Sequence, residues 1–248
     1  MNLFTVITVT YNAEQTLMRT IKSVQEQTYP HIEHIIVDGE SSDGTLDLIK
    51  KHKTEQTKWI SEKDNGIYDA MNKATEMATG TYICYLNAGD AFYEKDTVAK
   101  IISTAQQFQL PDILYGETVV VNNDGDFLYN RRLKAPESLN WKSFKQGMLV
   151  CHQAFVIKRS IFEPYDLTYH FSADVDWCIR LMKKSKSIVN THLIMIKYLN
   201  EGVTTANRKA SLKERFQIML KHYGAVSTLL HHAWFMVRAI LKPEKKKN

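Results

Sequence analysis

The sequence predicts an α/β fold, with a mostly parallel central sheet flanked by helices and a helical C-terminal extension. Two observations predict it. Three apolar strands in the first 90 residues each run straight into a polar, acid-bearing turn. Amphipathic helical patterns separate them, giving the order β-α-β-α-β-α-β-α, which argues a parallel sheet covered on both faces. In an open α/β sheet, ligands bind at the carboxyl ends of the strands, so these turns collect candidate binding residues on one edge. Carboxylates there suit a ribose hydroxyl, an amide or a metal ion. A bare phosphate would want glycines and basic residues instead.

The elements follow in order. Thr5–Thr10 is the first strand, ending at Tyr11-Asn12. Asn12, with Gln15 three residues on, predicts a helix cap. Leu17, Ile21 and Val24 then share one helical face, and Tyr29-Pro30 ends the helix. His34–Val37 is the second strand, ending in Asp38–Gly44. A helix starts near Thr45, with Leu46 and Ile49 inward. A short strand, Lys58–Ser61, precedes Asp64-Asn65-Gly66, and a helix follows with Ile67, Met71, Ala74 and Ala78 on one side and Gly80 as the stop. Thr81–Leu86 is the third acid-ended strand, running into Asn87-Ala88-Gly89-Asp90. A helix spans roughly 96–107. Ile113–Gly116 reads as a strand. Val119–Val121 and Phe127–Tyr129 read as a hairpin, because Asp124-Gly125 supplies the positive φ of such turns. A strand near 154–157, a helix over about 174–182 and a strand near 188–196 complete this part. Residues 1–204 are thus expected to form one domain. Residues 205–248 form the extension.

Composition bounds the class. The 248 residues can bury a proper core. The net charge of +5 is unevenly spread. From Thr205 onward ten basic residues face only Glu214 and Glu244, about +8, against about −3 for the rest. Such asymmetry points the tail toward an anionic surface. Cys84, Cys151 and Cys178 lack CxxC spacing, so no disulfide framework or zinc site is expected. The N-terminus lacks a signal-peptide pattern, and no apolar run of about 18 residues exists to span a bilayer. A cytoplasmic protein is expected, peripheral at the inner face of the plasma membrane if the tail binds lipid.

Four motifs in sequence order carry a resemblance: Val9-Thr10-Tyr11-Asn12; Ile36 to Thr45; Glu62 to Asn72; and Leu86 to Asp90. Together they resemble the family 2, GT-A fold glycosyltransferases, over about residues 3–200. The likeness is closest to the bacterial branch that builds capsule, exopolysaccharide or O-antigen repeat units. The resemblance implies a site. Asp38 stands where the family binds the base end of the nucleotide, and a carboxylate at a strand end can accept from an imide N–H; otherwise it is a turn aspartate. Asp43 either helps there or caps the next helix. Asp64-Asn65-Gly66 matches a second nucleotide contact or an N-cap. Thr10, Tyr11, Asn12, Ala88 and Gly89 fall on the donor side. Asp90 matches the metal ligand, for Mn²⁺ or Mg²⁺. Asn87 replaces the usual first acid and is left to the ribose or donor sugar. Asp174 matches the general base, with Ala173 replacing the usual preceding acid. Asp176 is its competitor, and both could instead be first-turn acids favoured by the helix dipole. His152 and Gln153 face the donor sugar or acceptor, or His152 is a satisfied core histidine.

The implied function is inverting transfer from a nucleotide sugar, a UDP-sugar by preference, to a saccharide carried on a polyprenyl-diphosphate lipid. Arg208 and Lys209 could face the acceptor's diphosphate. The C-terminal stripe of Val226, Leu229, Leu230, Ala233, Trp234, Val237 and Leu241 either packs on the domain or a second subunit, or lies on anionic lipid. His231-His232 reads as surface or interface, not a metal site. A non-catalytic nucleotide-sugar or membrane partner is the alternative. A nucleotidyltransferase would need a glycine- and basic-rich first loop, which Thr10–Glu14 lacks. The tail carries no recognisable reading module, so no nucleic-acid partner is expected.

Overall fold

The computed structural model describes residues 3–200 and 207–241, with backbone alone for residue 236 and for 238–241. Residues 201–206 and the lysines beyond 241 lie outside the described residues. In chain order the elements are β1 (Phe4–Thr10), α1 (Leu17–Gln25), β2 (Ile32–Asp38), α2 (Thr45–His52), β3 (Thr57–Ser61), α3 (Ile67–Glu76), β4 (Tyr82–Tyr85), β5 (Ala91–Phe92), α4 (Thr97–Gln107), β6 (Ile113–Val121) and β7 (Phe127–Asn130). Then come β8 (Phe155–Lys158), α5 (Ala173–Lys184), β9 (Ile188–Leu199), α6 (Arg208–Tyr223) and α7 (Ala225–Leu241).

One nine-stranded sheet runs in the order β3-β2-β1-β4-β8-β6-β9-β5, with β7 paired to β6. The first four strands are parallel, as expected from the helices between them. Beyond β4 the sheet is mixed: β8 is antiparallel to β4 and β6, β9 is parallel to β6, and β5 is antiparallel to β9. Every residue of β1 and β2 is buried, which fits strands covered on both faces. On one side Leu17 and Ile21 of α1 and Ile49 of α2 enclose Ile36. On the other, Ile35 and Val37 join the main core with Met71 and Ala74 of α3.

Two expectations are corrected and one strand is added. Asn12 does not cap α1, which begins at Leu17 after Thr16. Instead Asn12 takes φ +47°, gives its N–H to Ser41 Oγ and accepts from the Ser42 N–H, tying the loop after β1 to the loop after β2. Residues 113–116 and 119–121 form one continuous strand, β6, because β9 pairs along both stretches. Two-residue β5 has no sequence signature and exists because β9 pairs with it. The β6–β7 turn forms where expected, with Gly125 at φ +89° and Asn122 Oδ1 accepting from Asp124 and Asp126 N–H.

The extension is docked rather than loose. Asp176 on α5 is fully buried and accepts from Arg180 Nε (2.6 Å), Lys221 Nζ (3.0 Å) and His222 Nε2 (2.8 Å). The last two donors come from α6. Glu214 of α6 accepts from the His170 and Phe171 N–H groups just before α5. The Ser172 and Ser211 hydroxyls meet at 2.9 Å.

Candidate active site

The donor edge is built where β1, β2 and β3 end. The parallel register sets Thr10 beside Asp38 and Asp38 beside Ser61. Asp38 is fully buried and accepts from Ser41 N–H, Ser41 Oγ and Ser61 Oγ. Gly39 is a close-approach glycine: a Cβ there would lie 2.5 Å from Asp64 Oδ2 and 3.5 Å from Tyr11 Cδ2. Tyr11, Gly39 and Asp64 therefore meet, with the Tyr11 ring 66% exposed above them. Asp64 Oδ1 accepts from Gly66 N–H, and the Asn65 N–H goes to Asp69. Gly66, at φ +111°, has nothing within 4 Å of where a Cβ would stand, so its backbone is open to approach. Asp43 accepts from the Thr45 and Glu14 N–H groups, which joins helix start and first loop and holds its carboxyl below the usual range despite desolvation.

The Asn87–Asp90 turn follows β4. Its backbone is gripped by α1: Thr20 Oγ1 donates to Asp90 O and accepts from Gly89 N–H, and Arg19 donates through Nε and Nη2 to Gly89 O. Arg19 Nη1 reaches Asn122 O and Asn123 O in the β6–β7 turn. Gly89, at φ +98°, leaves no room for a side chain; a Cβ would stand 2.6 Å from Leu199 Cδ2. The Asp90 carboxylate is buried, accepting from Gln153 Nε2 and Leu199 N–H, both at 2.9 Å. Burial pushes its carboxyl up to about 7, against these hydrogen bonds and the Arg19 charge.

Among the described residues no group of three His, Cys, Asp or Glu could hold a metal. The residues present fit a hard cation that takes its remaining oxygens from a diphosphate and water. Asn87 Oδ1 is a buried amide oxygen with no hydrogen-bond partner, and Thr10 Oγ1 is orphaned on the adjacent strand. Each Asp90 oxygen accepts one hydrogen bond and keeps a second lone pair.

Asp174 opens α5 and is half-buried. Its Oδ1 accepts from Tyr68 Oη at 3.1 Å and from Val175 N–H. Tyr68 stands in the first turn of α3, just after the Asp64-Asn65-Gly66 turn, so this contact joins the start of α3 to the start of α5. Burial beside the Asp174 charge pushes the Tyr68 phenol well up. Asp176 is held instead by three basic side chains, and desolvation is outweighed so that its carboxyl lies far below the usual range. Its lone pairs serve the docking of α6. His152 stacks on Tyr85 (5.0 Å between rings) and hydrogen-bonds Tyr165 Oη. It is 4% exposed, and burial pushes it down to about 4. Of the two readings open for His152, the satisfied core histidine describes it. Gln153 is drawn to Asp90 rather than into the open.

The two carboxylates are linked through packed side chains: Asp90 accepts from Gln153, the adjacent His152 hydrogen-bonds Tyr165, Tyr165 packs on Tyr68 at 5.3 Å, and Tyr68 donates to Asp174. Burial raises the Cys151 thiol and the Tyr198 phenol, and each also feels the negative charge of both Asp90 and Asp174 and the positive charge of Arg131. Arg131 donates to Met148 O and Leu149 O. Sequence reasoning did not single out Arg19, Thr20, Tyr68, Arg131 or Tyr198. Only Tyr68 carried a signal, lying inside a quoted motif.

The fold is of the GT-A type. The family model described as Glycosyl transferase family 2 matches residues 5–165, and the chain belongs to that family. A PGL/p-HBAD biosynthesis glycosyltransferase of Mycobacterium bovis is 30% identical over 205 residues, covering 80% of this chain and 77% of its own. The putative teichuronic acid biosynthesis glycosyltransferase TuaG of Bacillus subtilis is 27% identical over 220 residues, 86% of each chain. Among solved structures, S. aureus TarS 1–349 in complex with UDP-GlcNAc has a TM-score of 0.70 at 16% identity, over 98% of this chain and 77% of that one. The mannosyltransferase PcManGT of Pyrobaculum calidifontis, in complex with GDP-Man and Mn²⁺, has a TM-score of 0.67 at 14% identity, over 98% and 76%. These likenesses establish the fold. The chain is a glycosyltransferase, and among its described residues no helix is long and apolar enough to cross a membrane.

Proposed function

We propose that this glycosyltransferase moves a sugar from a UDP-sugar onto a lipid-linked saccharide, with inversion, during surface polysaccharide assembly. The observation that carries the reading is the chain of contacts from Asp90 through Gln153, His152, Tyr165 and Tyr68 to Asp174. The TuaG name and the UDP-GlcNAc in the TarS complex support the pathway and donor class. The same reading places the reaction in the cytoplasm, at the inner face of the plasma membrane, with residues 1–110 serving the nucleotide and 111–204 the acceptor.

In this reading Tyr11 lies against the base or ribose, while Asp38, Asp64 and the open Gly66 backbone receive the nucleoside. Their contribution is orientation. Asp174 takes the acceptor hydroxyl proton as that oxygen bonds the anomeric carbon. The bond from that carbon to the diphosphate oxygen breaks in the same displacement, and the nucleoside diphosphate leaves. Asp90 and Asn87 would hold Mn²⁺ or Mg²⁺, which supplies charge stabilisation to the departing diphosphate when bound. Gln153 and the Leu199 N–H hold the Asp90 carboxylate in place.

The test compares Asp174→Ala with Asp90→Ala in sugar transfer and in UDP titration calorimetry. Both lose most turnover, on the order of 10²-fold or more, the range of a positioned acid–base group. Asp174→Ala keeps its UDP affinity, whereas Asp90→Ala loses the metal-dependent part. Unimpaired transfer by Asp174→Ala would remove it from the base role.

A further inference from the structure

Helix α7 is inside out. Its face toward α6 carries buried Thr228 and half-buried Ser227, His231 and His232, with the His232 ring 4.8 Å from Phe216. Its outward face carries Val226, Leu229, Leu230, Trp234 and Val237, exposed by 75, 59, 66, 56 and 44%. These positions form a single helical stripe. A helix packed on a water-soluble domain ordinarily turns such a stripe inward. No acidic residue occurs in α7.

Positive charge brackets the stripe. Tyr223, two residues before α7, stacks on Trp141 at 5.7 Å. Lys142 and Lys183 lie over the Trp141 ring, and Lys145 lies over Tyr223. In the sequence, Arg238, Lys242 and Lys245–Lys247 follow the stripe. Glu214, one of only two acids beyond Thr205, is turned inward to the N–H groups of His170 and Phe171.

We propose that α7 is a docking surface for an anionic lipid bilayer, lying in the headgroup region with Leu229, Leu230 and Trp234 inserted and Lys142, Lys145 and Lys183 beside the helix start facing lipid phosphates. The charge pattern selects this occupant. A second copy would press one basic surface against another, whereas an anionic bilayer complements it. The inference uses no part of the catalytic assignment. It deepens the proposed function by bringing the enzyme to the surface where a lipid-carried acceptor resides.

The test is co-sedimentation of the full chain with vesicles of phosphatidylcholine alone and with roughly one-third phosphatidylglycerol, in low and high salt. The stripe variant is Leu230→Glu with Trp234→Glu; both side chains are exposed, and a thermal melt checks that the fold is kept. Binding is expected to the anionic vesicles only, to weaken with salt, and to fall about tenfold or more in the variant. Transfer to a soluble acceptor is expected to be unchanged in the variant, so a failure of docking and a failure of the catalytic reading are separable. Absence of binding to anionic vesicles, equal binding to neutral ones, or undiminished binding by the variant would overturn the proposal. So would a concentration-dependent dimer in solution that the same variant dissolves, since it would assign the stripe to a second copy.

Discussion

Gly89 shows how tightly single residues are specified at the site. It combines a left-handed backbone with a Cβ position already filled by Leu199. Gly224, at φ +77°, shares the backbone demand but has open space around it. Gly224→Ala should therefore show the conformational cost alone, about 1 kcal/mol, and Gly89→Ala roughly 1–3 kcal/mol more from overpacking. Denaturant midpoints of the two variants measure this difference. UDP affinity should fall in Gly89→Ala and hold in Gly224→Ala, because only the first displaces the Asn87–Asp90 turn. At this scale the sequence was informative where a motif lies within one loop. Asp38, Asp64, Asp90 and Asp174 could all be singled out in that way. What holds them was not legible. Gln153 and the Leu199 N–H reach Asp90 across 63 and 109 positions, and contacts of that span leave no periodic trace.

Among the elements, α5 and α6 share the most consequential contact. Asp176 is a buried carboxylate surrounded by Arg180, Lys221 and His222. Removing the carboxylate takes its hydrogen bonds from all three, although Arg180 keeps Glu163 and Lys221 keeps Asp166, and costs about 1.5–3 kcal/mol. Asp176→Ala should lose that much by chemical denaturation. It should also loosen α6, read as faster amide exchange at Ile218 and Met219, both buried now. In sequence both are first-turn acids, and only the family resemblance favoured Asp174 over its competitor Asp176. Their separation follows from burial, which only the packed helices decide. The helices α1 to α5 were legible from their apolar spacing. The start of α1 was not, because Asn12 satisfies the neighbouring loop rather than the helix end.

For the whole molecule the relevant observable is stability against pH. Burial pushes His34 and His152 down to about 4, so the folded protein resists a proton that the unfolded chain accepts near 6.5. Stability is lost as pH falls from about 6.5 toward 4. Asp90, raised to about 7, opposes this, since the folded state takes up its proton first. Two histidines against one aspartate leave a net loss. A second loss follows below about 4.5, the ordinary glutamate value. Hydrogen bonds from Lys58, Thr5 and Thr79 outweigh burial and hold Glu33 down to about 2. Urea midpoints between pH 8 and 3 should trace both stages, and His34→Gln should shrink the first while sparing the second. The parallel half of the sheet was legible as a whole because amphipathic helical patterns separate its strands one by one. The mixed half was not, because β8, β9 and β5 are ordered by pairing rather than by chain sequence.

That pairing bears on how the polypeptide must assemble. Residues 91–92 lie early in the chain yet close the sheet edge against 196–197, beyond strands made from residues 113–121. A fragment cut after residue 110 would leave Tyr82 and Ile83 without Lys158 and Ile157, exposing an unpaired edge. Neither fragment completes the sheet without the other, so a nascent N-terminal piece keeps this edge open until residues 155–199 have been made.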